Sequence, residues 1–128
     1  MLENLLGKAS KRANVNYVGK EGITRSCRTA LERVVETQGN PDEAVIIAHD
    51  TSRGFLLIGD NLDVDTVVMA GFGAGYPGEG PDGFAWAKEF LSERDVFLSE
   101  VAVDAAFMYR LSERDLRDRD IALLKGEE

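Results

Sequence analysis

Residues 44–72 read AVIIAHDTSRGFLLIGDNLDVDTVVMAGF, and this stretch decides the fold class. Ala44 to His49 and Phe55 to Ile58 are two short apolar runs rich in strand-forming residues. Asp50-Thr51-Ser52-Arg53-Gly54 between them has the composition of a hairpin loop. Asp60 to Asp65 is a polar turn, and Thr66 to Phe72 reads as a third strand. Three strands in succession without an intervening helix predict an antiparallel centre. The run Val45-Ile46-Ile47 predicts a strand buried on both sides.

Outward from this centre the chain alternates. Asn14 to Val18 reads as a short strand closed by Gly19 and Gly22. Ile23, Cys27, Ala30, Leu31, Val34 and Val35 then recur at helical spacing, with Arg25, Arg28, Glu32, Arg33 and Glu36 on the opposite face. Gly39 serves as C-cap, and Pro41 blocks continuation. After residue 83, Phe84, Ala87, Phe90 and Leu91 define a second helix. Val96 to Val103 reads as a further strand, and Asp104 is placed to cap a short helix through Tyr109. Ser112 with Asp115 resembles a capping box opening a last helix, with Leu116, Leu123 and Leu124 inward. The predicted fold is therefore α+β: a small, mainly antiparallel sheet of four to five strands, with two to three helices packed on one face. Residues 1–13 are expected to form a loose arm and 14–128 one domain. The tetrapeptide Ser-Glu-Arg-Asp occurs at 92–95 and 112–115, each copy after a leucine (Leu91, Leu111) and with nothing further matching, and reads as coincidence.

The 128 residues carry 23 acids, 15 bases and a net charge of −8. This balance argues against direct nucleic-acid binding, which needs clustered Lys and Arg. It suits a soluble protein with a protein partner. A single cysteine, Cys27, makes no internal disulfide and fits a reducing compartment, so a cytoplasmic location is expected. No apolar run approaches membrane-spanning length, and the first residues lack the apolar core of a signal peptide.

The most distinctive segment is GFGAGYPGEGPDG at 71–83, which holds six of the chain's 13 glycines. It joins a strand to a helix, with Gly80 expected as N-cap and Pro81 as the first helical residue. Phe72, Gly73, Gly75, Tyr76, Gly78, Glu79, Gly80 and Trp86 are the candidate ligand- or partner-binding residues. A helix N-terminus suits an anion, so a small anionic or nucleotide ligand at 73–80 is the alternative to a protein partner. Gly73, Gly75 and Gly78 satisfy G-x-G-x-x-G, but Pro77 interrupts the motif and Glu79 would face the phosphate. No Lys or Arg lies between Arg53 and Lys88, and the G-K-[ST] ending of a P-loop is missing. A purely architectural loop, locked by Phe72, Tyr76 and Trp86, is the competing reading.

Phe72 to Pro81, followed by Phe84, Ala85 and Leu91, resembles a family of short phage and prokaryotic proteins of unknown function. Their centre reads W-G-Y-G-G-x-G-P-x-x-L-A-x-x-L-L. Tyr17-Val18-Gly19 matches an early Tyr-x-Gly of that family, and Leu111 to Leu116 its closing L-[ST]-x-x-[DE]-[IL] element. Pro77 stands where the family has glycine, and the helix at 23–38 has no counterpart there. The resemblance implies a phage or mobile-element origin, and implies no activity or catalytic residues.

No catalytic set is legible. His49, the only histidine, neighbours Asp50 and Ser52, but adjacent residues of one turn point in different directions. One Cys and one His do not make a zinc site. Asp60, Asp63 and Asp65 lack the glycine and closing glutamate of an EF-hand. The expectation is a non-enzymatic interaction protein, plausibly phage-encoded, that binds a host or defence protein, with no cofactor and no metal.

Overall fold

The structure, a computed structural model, describes residues 11–127. Its strands are β1 (Asn16–Val18), β2 (Glu43–His49), β3 (Ser52–Ile58), β4 (Thr66–Gly73) and β5 (Phe97–Ala102). The helices among the described residues are α1 (Thr24–Gln38), α2 (Glu79–Ser92), α3 (Ala105–Ser112) and α4 (Asp118–Lys125). The strands form one sheet in the order β1-β4-β3-β2-β5. The fold is α+β, as the sequence predicts.

The central strands β2, β3 and β4 form the expected antiparallel meander. The sheet as a whole is mixed, because β1 runs parallel to β4 and β5 parallel to β2. Connectivity explains the difference. A helix separates β1 from β2 and β4 from β5, and a helical crossover returns the chain in the same direction. The turn between β2 and β3 is tighter than the composition of 50–54 suggests. His49 pairs with Ser52, leaving Asp50 and Thr51 as the whole turn, with Asp50 at φ 52°.

All eight residues of β4 are buried, as are Ala44 to Ala48 of β2. Since successive strand side chains point to opposite faces, the sheet is covered on both sides. Helices α1 and α2 pack against each other and β4, while α3 and α4 reach β4 and β2. The one-sided packing expected from the sequence is thus replaced by cover on two sides. The C-terminal segment, whose apolar residues are sparse and interrupted by charge, supplies the second cover through Phe107, Leu111, Leu116 and Leu124.

The N-terminus of α1 is fastened to β4 by a close approach. Thr24 Oγ1 donates to the Gly71 carbonyl at 2.6 Å, and Cys27 Sγ lies 3.3 Å from the Met69 carbonyl. A Cβ at Gly71 would stand 2.5 Å from Cys27 Sγ and 2.9 Å from the Ile23 carbonyl. Only glycine lets the helix come this near.

Two helix boundaries differ from the sequence reading. Asp104 caps α3 as expected, accepting from the Phe107 N–H at 2.9 Å. Ser112, however, ends α3 and does not open the last helix. That helix begins at Asp118, and its buried Asp120 accepts from the Arg117 N–H at 2.9 Å and from Arg110 at 2.9 and 2.7 Å. Leu116 and Leu124 are buried, but Leu123 is 39 % exposed. Both Ser-Glu-Arg-Asp copies terminate a helix, each with a left-handed residue, Asp95 (φ 60°) in one and Arg114 (φ 54°) in the other.

The arm expected over residues 1–13 lies, for residues 1–10, outside the described residues. From Lys11 onward the chain pairs with the segment before α4. The Ala13 N–H donates to Leu116 and the Asp118 N–H to Lys11, both at 2.9 Å. Arg12 reaches Asp115 at 2.9 Å, and Arg117 holds the same carboxylate at 2.7 Å.

Candidate functional site

The glycine-rich segment divides in two. Phe72 and Gly73 are buried at the end of β4, and Phe72 meets Phe55 edge-on at 5.4 Å. Gly75 to Glu79 lie on the surface. Tyr76 folds back between the two halves. A Cβ at Gly73 would collide with its hydroxyl, and one at Gly80 would stand 2.5 Å from the same oxygen. These two glycines therefore make room for one ring. Gly75 (φ 86°) and Gly78 (φ 138°) take left-handed backbone that side chains disfavour.

Helix α2 begins at Glu79 with Gly78 as N-cap, two residues before the position expected from Pro81. Pro81 sits at the third helical position, where its missing N–H still costs nothing, because first-turn amides have no helical partner. Glu79 and Asp82 in that turn already place negative charge at the positive end of the helix.

The structure brings arginines to this junction that the local sequence lacks. Arg25 and Arg28 of α1, with Thr24, Thr29 and Glu32, face Gly78, Glu79, Asp82 and Gly83 across an open groove of about 700 Å³. Arg28 is engaged, its guanidinium 4.2 Å above the Trp86 ring. Trp86 stacks on Phe90 at 4.8 Å, and Arg94 lies 3.7 Å over Phe90. Trp86 thus belongs to a cation–π column tying α2 to α1. The groove mixes two bases with three acids.

His49 Nδ1 lies 2.9 Å from the Val103 carbonyl. A carbonyl only accepts, so Nδ1 carries the proton. Asp60 and Asp63 use backbone N–H groups to bind Asp42 and Gln38, and Asp65 pairs with Lys125 at 2.7 Å. Among the described residues no group of three His, Cys, Asp or Glu converges as a metal site would. Cys27 is fully buried, and burial pushes its thiol up to about 11. The Arg117 hydrogen bond holds Asp115 below the usual carboxylate range, and the Asp120 hydrogen bond raises Arg110. Asp65, Asp115, Arg110 and Cys27 are thus each engaged by a neighbour within the fold.

Two exposed aromatics, unmarked by any motif, lie within residues 95–109. β5 is the last strand of the sheet. Phe97 at its start is 65 % exposed, and Tyr109 on α3 is 68 % exposed. Between Arg94 and Arg110 the chain carries Asp95, Glu100 and Asp104 and no base. Sequence reasoning passed over this stretch because a strand and a helix of ordinary composition give no local sign of lying at an edge. The run of 15 residues without a base was the available signal.

No protein-family model and no curated protein matches the sequence. One solved chain, from the structure titled "Respiratory complex I from Thermus thermophilus", has the same fold. It superposes with a TM-score of 0.63 at 21 % identity, covering 87 % of this chain and 88 % of its own. No described helix is long and apolar enough to cross a membrane.

Proposed function

We propose that this chain is a non-enzymatic protein that works by binding another protein, through the surface built by β5 and α3. The observation that carries this reading is the pair Phe97 and Tyr109, two large aromatic side chains mostly in water on consecutive elements of the chain. Exposed aromatics of this kind are the usual anchors of protein interfaces. The neighbouring fold comes from a chain found within a complex, which supports the same reading. The finer form, a phage-encoded protein acting on a host or defence protein, rests on the sequence resemblance of Phe72 to Leu91, Tyr17 to Gly19 and Leu111 to Leu116 alone.

A second reading, a small anionic ligand beside Gly78 to Gly83, is favoured by Arg25 and Arg28 at that groove. Glu79 and Asp82 on the facing wall oppose it. One experiment separates the two. The full chain and its Phe97→Ser/Tyr109→Ser variant are used to retain proteins from the native cell, and the same chain is melted with a panel of nucleotides and phosphates. A stoichiometric protein held by the parent and lost by the variant supports the protein partner. A raised Tm with nucleotides, and no protein retained, would favour the anion reading instead.

A further inference from the structure

We infer that the free edge of β5 takes up an extended, basic segment of a partner protein as a sixth strand of the sheet. This rests on the protein-binding reading above and names the mode and chemistry of the partner.

The two ends of the sheet are finished differently. β1 is three residues long, and Arg114 covers its outer side, donating to the Tyr17 carbonyl at 3.3 Å and the Gly19 carbonyl at 2.9 Å. Among the described residues, β5 has no such cover. The Phe97 N–H donates to Asp42 and the Val103 N–H to Ala48, six residues apart on both strands. In a parallel ladder this sets the odd residues of β5 toward β2. The N–H and C=O groups of Leu98, Glu100 and Ala102 therefore point away from the sheet. Among the described residues, no hydrogen bond reaches them from outside the ladder.

Protected edges are very short, covered, or carry Pro, a bulge or charged side chains, most often Lys; β5 has one charge, Glu100, and no Pro, Lys or bulge. β5 reads Phe-Leu-Ser-Glu-Val-Ala and pairs with β2 in unbroken register from Phe97 to Ala102. It is a six-residue template for strand addition. Charge then selects the occupant. Glu100 sits mid-edge, Asp95 and Asp104 flank it, and no base lies on the segment. An added strand with Lys or Arg opposite Glu100 gains a cross-strand pair, whereas an acidic one meets like charge. The same argument disfavours a second copy. Antiparallel self-pairing centred on Glu100 sets glutamate against glutamate, between chains that each carry −8.

The test uses the isotope-labelled full chain and a panel of acetylated, amidated octapeptides. The peptides alternate Lys or Arg with Val, Ile, Leu, Thr or Tyr, and matched controls carry Glu in place of the bases. Basic peptides are expected to shift the amide signals of Leu98, Glu100 and Ala102 and to slow their exchange. Glu100→Lys should weaken this binding about tenfold. Ala102→Pro should abolish it, because Pro removes an outward donor while leaving the β2 ladder intact. The inference is overturned if no basic peptide perturbs these amides, if acidic peptides bind equally, or if the free chain dimerises with the same amides protected. Should Ala102→Pro fail to fold, Glu100→Lys decides. A native partner retained equally by the parent and a folded Ala102→Pro variant would leave protein binding standing and remove strand addition.

Discussion

At the residue scale, the glycines explain themselves by what a methyl group would strike. Gly71 is the sharpest case, because an added Cβ meets the Cys27 sulfur and the backbone of Ile23 together. Neither can yield without moving α1 off β4. Gly71→Ala should therefore destabilise the chain by about 1–3 kcal/mol in urea titration, the cost of overpacking a filled core. Gly22, which has open space where its Cβ would sit, differs in kind: its φ of 77° is the only obstacle there. The density of glycine at 71–83 was legible in the sequence, but its purpose was not. Gly73 and Gly80 are seven residues apart and serve the same Tyr76 hydroxyl, a relation that exists only once the loop is closed. Likewise Trp86, grouped with the loop by proximity in sequence, turns instead to Arg28 of another helix.

At the element scale, the helix boundaries show where local rules suffice. The apolar stripe of α1 and its Gly39 stop, and the Asp104 cap of α3, were readable because each depends on residues within one or two turns. The start of α4 was not, because its buried Asp120 is held by Arg110 from the preceding helix. The parallel pairing of β1 and β5 was hidden for the same reason: it follows from crossover paths, not from composition. The segment before α4 also anchors Lys11 to Ala13, with Asp115 between Arg12 and Arg117. The folded-state pKa of Asp115 lies below its unfolded value. Its contribution is therefore present above the ordinary carboxylate range and is lost as pH falls through the folded value. Asp115→Asn should thus lower the urea midpoint at pH 7, and the difference from the parent should shrink as pH falls through the lowered folded value of Asp115. A difference unchanged by acid would show that the carboxylate charge has no part in this anchor.

At the scale of the whole molecule, a sheet buried on both faces has only its edges left to offer. One edge is held by Arg114, and the other, β5, is left uncovered by the described residues, begins at exposed Phe97 and has an acidic, base-free sequence. The fold positions the surface, and the net charge of −8 sets the sign of what it attracts. The central claim is that β5 is bare along its outer side, and residue-resolved hydrogen exchange on the free chain tests it most directly. The amides of Phe97, Ser99 and Val101, bonded to β2, should exchange slowly, while those of Leu98, Glu100 and Ala102 exchange at rates close to an unprotected chain. Slow exchange at all six positions would contradict the account, because it would mean that the edge is already covered.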